Sequence, residues 1–351
     1  MTGSRTARVV SPQVGALDAL SRWLGSRLPN ATGIHLRNVR NLPGADMSGQ
    51  TILFDAVWHQ VGTEHTKGMV VRVKPTQHTL HLDDLFNEHY AIIQLMHAQK
   101  HVRVAKPLWF ETNSSILGAP FFVMEKIEGR VALNYPPYSN SGLLVDAGPA
   151  ERRSVWESAV RQLASIQLVP VTSAAFLALP GGPTGFDQEV SRWRRFLSWV
   201  DPGSELTLLR ATFKRLLAAG PSNKADGIAW GDARLGNMMI DSNFEVAAVV
   251  NWEQPSLGGA LHDLGWWLQC DYNQTTRQGF SRLDGMGDRA DTIALWSEVS
   301  GKSAADIEWY EAFACFKMEC LALRMAALRK KSVGSGTADP GRRTAEMLNR
   351  L

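Results

Sequence analysis

Apolar and polar positions change rhythm once along this chain, near Gly129. Before that point, residues 12–29 place Val14, Leu17, Leu20, Leu24 and Leu28 at helical spacing, which predicts an amphipathic helix. The stretch "RNVRNLPGADMSGQTILFDAVWHQ" reads as a short strand, a turn holding Pro43, Gly44 and Gly49, and a strand from Thr51 to Trp58. "GMVVRVKP" is a third strand, stopped by Pro75. "DLFNEHYAIIQLMHAQK" returns to helical spacing through Leu85, Tyr90, Ile93 and Met96. "AKPLWFETN" and "APFFVMEKIEGR" then read as two further strands. This order predicts a small antiparallel sheet with one helix inserted, an α+β unit.

Past Gly129 the Pro- and Asn-rich "NYPPYSNSG" leads into helical patterns at 150–168, 187–200, 204–218, 289–299 and 305–331. Only "GNMMID" and "EVAAVVNW" look strand-like there, with "SNF" as a hairpin turn between them. The tail "KKSVGSGTADPGRR" predicts a mobile loop before a last short helix. The expected architecture is bilobal. Residues 1–126 form the sheet-rich lobe and 127–351 the mainly helical one, and the cleft between lobes is the favoured ligand site.

Composition narrows the class without naming a chemistry. An apolar content of 44% and a charged content of 20% suit an ordinary soluble protein, and 351 residues suffice for two cores. A net charge of +3 is too slight to imply a nucleic-acid partner. No apolar run reaches the roughly 20 residues of a membrane span, and "MTGSRTARVVSPQVGALDAL" lacks a compact apolar core before a cleavage site. Cys270, Cys315 and Cys320 lack metal spacing, and an odd count argues against a disulfide framework. The expectation is a cytoplasmic, reduced chain with neither nucleic acid nor membrane as partner.

The chemistry concentrates in "WGDARLGNMMIDSNFEVAAVVNWE", Trp230 to Glu253. Phosphoryl transfer needs positioning, a residue to orient or deprotonate the acceptor hydroxyl, and cations on the phosphates. Asp232 suits the acceptor-facing carboxylate, and Asn237 a metal ligand through its amide oxygen. A turn-capping aspartate with a backbone-satisfying asparagine would read the same way. Arg234 either pairs with a carboxylate to hold the loop or is solvated.

The segment "GDARLGN", followed by "VVNWE" and "LHDLGWW", resembles the aminoglycoside phosphotransferase and choline kinase branch of the protein-kinase-like fold. The resemblance runs from about Asn38 to the helix near Arg329. It is strongest to the bacterial and acyl-CoA-dehydrogenase-associated phosphotransferase-like proteins, which often read GD-x-R-x-GN and DWE. It implies ATP or GTP as donor, Mg²⁺ as cofactor and a small-molecule hydroxyl as acceptor. Asp232 and Arg234 are then the catalytic pair. Trp230 stands where many relatives have His, a replacement that the loop tolerates.

Asn251 departs from the pattern, because the family has a magnesium-binding Asp there. A neutral oxygen loses one charge of cation stabilisation. Glu253, two residues on, would share the face of Asn251 in an extended strand and so repair the set Asn237, Asn251, Glu253. Asp263 is a second substitute, though in the family that Asp buttresses the catalytic loop. In the first lobe the resemblance aligns "MVVR" with the phosphate-gripping strand, so Arg72 takes the role, with Lys74 as alternative and Glu88 as ion-pair partner or solvated carboxylate. "NLPGADMSGQ" has the length of a phosphate-covering turn. The backbone of Glu125 and Ile127 would meet an adenine, with Val123 and Met124 packed nearby.

For the acceptor, "EVSRWRRFLSWV" sets Arg192, Arg194 and Arg195 among Trp193, Phe196 and Trp199, and "LGWWLQCDYNQ" adds Trp266, Trp267, Asp271 and Tyr272. A polycationic aminoglycoside requires an acidic wall, which a mildly basic chain does not suggest. A neutral or acidic, partly apolar hydroxyl compound fits better. Three readings stand: a small-molecule kinase, a nucleotide-binding pseudokinase with little turnover because of Asn251, and an interaction scaffold.

Overall fold

The computed structural model describes residues 14–42, 49–76, 79–200, 206–329 and 339–351. Pro43 and Gly44 of the expected phosphate-covering turn, and 330–338 of the expected tail loop, lie outside the described residues. The described residues divide into two compact units. One is drawn from Met1–Phe86 and Ala105–Ile127, the other from Asn87–Val104 and Glu128–Leu351.

In the first unit, helix α1 (Val14–Arg27) precedes strands β1 (Thr32–Asn41), β2 (Thr51–Gln60), β3 (Thr63–Val73), β4 (Pro107–Glu111) and β5 (Phe121–Glu125). These form one antiparallel sheet in the order β1-β2-β3-β5-β4. β2 and β3 pair without a break from Thr51↔Arg72 to Gln60↔Thr63. Val61 and Gly62 turn between them at φ 50° and 77°, and positive φ at both central residues matches the twist of the strands. Alternation sends Ile52, Phe54, Ala56 and Trp58 of β2 and Met69, Val71 and Val73 of β3 into one core. Leu20 and Leu24 of α1, both fully buried, cover that face. Trp23 completes it, edge-on to Phe121 with its Nε1 donating to Glu111 Oε2 at 2.7 Å.

Helix α2 (Phe86–Ala98) starts in the first unit and runs through residues grouped with the second. The second unit continues through α3 (Leu143–Asp146), α4 (Pro149–Ser165), α5 (Gly185–Val200) and α6 (Thr207–Ala219). The two-stranded sheet β6 (Met238–Ile240) and β7 (Val246–Val249) follows. Then come α7 (Ala260–Gln274), α8 (Arg289–Ser300), α9 (Ile307–Leu328) and α10 (Arg342–Leu348). The hairpin turns over 241–245, where Asp241 N donates to Glu245 O.

The sequence over 260–274 shows no amphipathic rhythm for a physical reason. Ten consecutive residues of α7, from Ala260 to Gln269, are buried, so no polar face exists to alternate with an apolar one. α7 crosses α9 closely: a Cβ on Gly265 would stand 2.7 Å from the backbone of Tyr310. Among the described residues, no helix is long and apolar enough to cross a membrane.

Candidate active site

The second unit brings Asp232, Arg234, Asn237 and Asn251 to one point. The Asp232 side chain is 24% exposed, and its Oδ2 takes the Arg234 guanidinium at 3.0 Å. The same oxygen accepts from Asn237 Nδ2 at 2.7 Å and Asn251 Nδ2 at 3.1 Å. Oδ1 accepts one indole N–H, from Trp266 Nε1 at 3.1 Å. A carboxylate offers about four lone-pair sites, two on each oxygen. Oδ2 is therefore crowded, and Oδ1 keeps capacity for the proton of an acceptor hydroxyl.

Each asparagine is fixed by its neighbours. Asn237 is 7% exposed, and its Nδ2 also donates to the Asp232 carbonyl at 2.9 Å. Its backbone carbonyl takes the Val250 N–H at 2.9 Å, which ties the loop over 231–237 to the end of the hairpin. Asn251 sits at φ 65°, a left-handed conformation that asparagine adopts more readily than most residues. With both amide nitrogens turned to Asp232, both amide oxygens remain available as ligands for a hard cation.

Glu253 requires a correction of the strand argument. β7 ends at Val249, Asn251 is left-handed and Glu253 lies half-buried in a bend. Two-residue alternation does not hold across such a break, so parity no longer puts Glu253 beside Asn251. Asp263 is removed as a metal candidate. It is 1% exposed and accepts the N–H groups of Trp230 at 2.5 Å and Gly231 at 2.9 Å, which makes it the buttress of the loop. Burial still pushes its carboxyl up to about 6, against those hydrogen bonds. Among the described residues, no group of three or more His, Cys, Asp or Glu is arranged to hold a metal ion.

Trp230 forms a structural link. It is fully buried, and its Nε1 donates to the carbonyls of Val250 at 3.0 Å and Asn251 at 3.2 Å. Beside it, Gly231 stands at φ 97°, where a Cβ would lie 2.1 Å from the Gln254 carbonyl oxygen. Gly231→Ala should therefore lower stability by at least about 2 kcal/mol, from the strained φ and the displaced loop together. A shift of the urea midpoint without a change of slope would register it; an unchanged midpoint would show that the loop gives way freely.

Of the expected nucleotide-facing residues, Arg72 is half-buried on β3 with its Nη1 2.5 Å from Thr51 Oγ1. Lys74 lies one residue beyond β3 and pairs with Asp84. Glu125 pairs with Lys67 at 2.5 Å. Its N–H is given to Lys106 O, and that of Lys126 to Gly68 O, so Glu125 can offer a base only its carbonyl. Ile127 is half-buried just after it. Glu88 is half-buried on α2 and belongs to the second unit.

Among the residues expected at the acceptor, Arg192 is 4% exposed. It is held by Glu189 at 3.8 Å and by Gln254, so it is not presented to a ligand. Trp193, Phe196 and Trp267 are core, as Trp at helical spacing suggests. Trp266 is also buried, yet its indole N–H reaches Asp232, which a packing aromatic at helical spacing does not reveal in sequence. It follows Asp263 by three residues and so shares its helix face.

A buried polar cluster beside these residues gives the unit a specific acid response. His262, ringed by Tyr310 at 5.0 Å and Phe313 at 5.1 Å, is held by burial at about 3. Burial pushes Glu189 up, but Lys317 and Arg192 outweigh it and hold the carboxyl at about 2. Between pH 4.5 and 6 the unfolded chain binds a proton at His262, while the folded chain binds one at Asp263, so the two slopes cancel. Below pH 4.5 Glu189 joins His262 and stability falls as pH falls. His262→Phe removes one side of the balance. Its stability should rise on acidification from pH 6 to 4.5, by up to about 1.4 kcal/mol per pH unit relative to the natural chain. Urea unfolding at both pH values checks this; parallel curves would contradict it.

The phosphotransferase enzyme family model matches residues 55–301, well over half of the chain. The Arabidopsis thaliana protein named "Probable acyl-CoA dehydrogenase IBR3" is 22% identical over 271 residues, 72% of this chain but 32% of that protein, so the chain spans about a third of its length. An aminoglycoside phosphotransferase candidate from Ralstonia eutropha JMP134 has a similar structure, with TM-score 0.70 and 24% identity over 94% of this chain and 95% of its own. Spectinomycin phosphotransferase, solved with ADP and spectinomycin, gives TM-score 0.54 and 11% identity over 95% of this chain and 98% of its own. At these identities both structures speak for the fold, an antiparallel-sheet N-lobe and a helical C-lobe of protein-kinase-like type. With that fold and the family match over 55–301, the chain belongs to the phosphotransferase enzyme family.

Proposed function

We propose that the chain transfers the terminal phosphoryl group of ATP or GTP to a hydroxyl of a small molecule. The observation that carries this reading is the Asp232 carboxylate. Its Oδ2 is immobilised by Arg234, Asn237 and Asn251, while Oδ1 has one donor and keeps room for a hydroxyl proton. That arrangement suits orientation or deprotonation of an acceptor, work worth roughly 10²- to 10⁴-fold in rate. Arg72, Lys74, Glu88, Glu125 and Ile127 are the proposed nucleotide-facing residues. The ADP in the spectinomycin phosphotransferase structure supports a nucleotide donor.

Magnesium would be held by the amide oxygens of Asn237 and Asn251, with Glu253 as the nearest acid in sequence. The donor set fits a divalent cation held less tightly than by carboxylates. When bound, such an ion supplies charge neutralisation on the phosphates.

The acceptor is proposed to be neutral or acidic and partly apolar rather than an aminoglycoside. The curated relative is named for acyl-CoA dehydrogenation, and a hydroxyl-bearing acyl compound belongs to that chemical range. An ADP-release assay over hydroxyl compounds of graded charge, with Asp232→Ala as blank, tests the reading. Acceptor-dependent ADP release with the neutral or acidic members supports it. Release only with the polycationic members contradicts the acceptor class, and no release above the blank contradicts phosphotransfer.

One observation favours a second reading, a nucleotide-holding pseudokinase. Asn251 donates to Asp232 where the family's carboxylate would hold a cation. On that reading nucleotide binds and turnover stays negligible.

A further inference from the structure

Lys317, on α9, is 4% exposed, and its acidic neighbour Glu189, on α5, is 3% exposed. The Lys317 Nζ lies 3.3 Å from Glu189 Oε1. It also lies over two indole faces, 5.1 Å from the centroid of Trp193 and 5.2 Å from that of Trp266. Trp193 Nε1 donates to Glu189 Oε1 at 2.8 Å, which fixes the carboxylate that faces the ammonium. Trp266, 6% exposed, donates its Nε1–H to Asp232 Oδ1 at 3.1 Å. A continuous line of contacts therefore runs from Trp193 through Glu189, Lys317 and Trp266 to Asp232. It joins α5, α9 and α7 to the catalytic loop.

A lysine–glutamate pair withdrawn from water is a weak source of stability, since packed apolar side chains of similar volume serve as well or better. Its placement does something that apolar residues cannot. A cation on the face of an indole is attracted by the ring's electrons. It holds the ring in one orientation, and by drawing density from the ring it makes the N–H a stronger donor. That N–H meets Oδ1, the Asp232 oxygen with room for the acceptor proton. α7 thus grips the loop twice from one face. Asp263 takes the backbone N–H groups of Trp230 and Gly231, and Trp266 takes the side chain of Asp232.

We propose that Lys317 is a positioning residue for phosphotransfer, acting through the face of Trp266 to hold Asp232 Oδ1 toward the acceptor hydroxyl. The kinetic part rests on the phosphotransfer reading; the geometric part does not. Sequence reasoning had no signal for it, because Lys317 is one of two widely spaced cations in α9 and its partners lie on α5 and α7.

The test pairs a spectroscopic readout with a kinetic one on the full chain. Among the 12 indole N–H resonances of the ¹⁵N-labelled protein, that of Trp266 is the one lost in Trp266→Phe. Its position should move in Lys317→Met toward that in Asp232→Ala. Lys317→Met leaves Glu189 paired with the buried Arg192 at 3.8 Å, so the buried charges still balance, and Lys317→Gln, which removes the cation but keeps a polar group toward Glu189, should show the same shift as a second variant. In turnover, Lys317→Met should lower kcat about tenfold with the nucleotide KM unchanged, and should add nothing in a Trp266→Phe background. A Trp266 resonance that stays in place in folded Lys317→Met or Lys317→Gln overturns the proposal, as does a full kcat loss that persists without Trp266. A shifted resonance in a chain without nucleotide turnover supports the positional link and overturns only the phosphotransfer reading.

Discussion

Replacing Asp232 by alanine is expected to reduce phosphotransfer by roughly 10²- to 10⁴-fold, the range a positioned acid–base group supplies. The loss should fall on kcat, with nucleotide affinity changed less than about threefold, because Asp232 serves the acceptor rather than the nucleotide. The geometry requires this split to be checked. Four donors converge on the carboxylate, and its removal leaves each of them without that acceptor, which costs stability. Asp263 holds the loop backbone independently through Trp230 and Gly231, so the loop should keep its course. Isothermal titration of nucleotide into Asp232→Ala, beside single-turnover kinetics, separates the two effects. Lost affinity equal to the lost rate would mean that Asp232 is a structural post of the loop and not an acceptor-facing group.

The second large effect is expected at Asn251. Its Nδ2 is 3.1 Å from Asp232 Oδ2, so Asn251→Asp exchanges a hydrogen bond for two carboxylates in near contact. Like charges about 4 Å apart repel by roughly 4 kcal/mol at the effective dielectric of a protein surface, and one of the pair would resist ionisation. Without a divalent cation the variant should therefore be less stable than the natural chain. With Mg²⁺ the sign reverses, because a carboxylate beside the Asn237 amide oxygen suits a hard cation better than two amide oxygens do. Nucleotide binding should tighten by at least about tenfold in Mg²⁺, and thermal stability should become Mg²⁺-dependent. Turnover that rises from a negligible level in the same variant would favour the pseudokinase reading for the natural chain. A variant indifferent to Mg²⁺ in both affinity and stability would mean that the amide oxygens of Asn237 and Asn251 do not face a cation site.

The fold was largely legible because its elements carry periodic signals. The two-residue alternation of "TILFDAVWH" and "MVVRV" and the helical stripe of Leu20 and Leu24 each report a face that is buried in the structure. α7 carried no such signal, since burial on all sides erases amphipathic contrast. In the site, the five-residue spacing of Asp232 and Asn237 was legible because one short loop fixes both side chains. The relation of Asn251 to Glu253 was not, because the extended backbone that would make parity useful stops at Val249. Trp266 and Lys317 escaped for a different reason. Their roles depend on partners on other elements, and nothing local distinguishes a core indole from one that donates to Asp232. The expected grip of Arg72 or Lys74 on phosphate stays a proposal, with Lys74 occupied by Asp84.

The most direct test of the nucleotide phosphotransferase reading is a calorimetric titration of ATP into the natural chain, first with Mg²⁺ and then with EDTA. The account predicts binding in both conditions and tighter binding with Mg²⁺, the mark of a cation held by the oxygens of Asn237 and Asn251. Absence of binding in both, repeated with GTP, would contradict it.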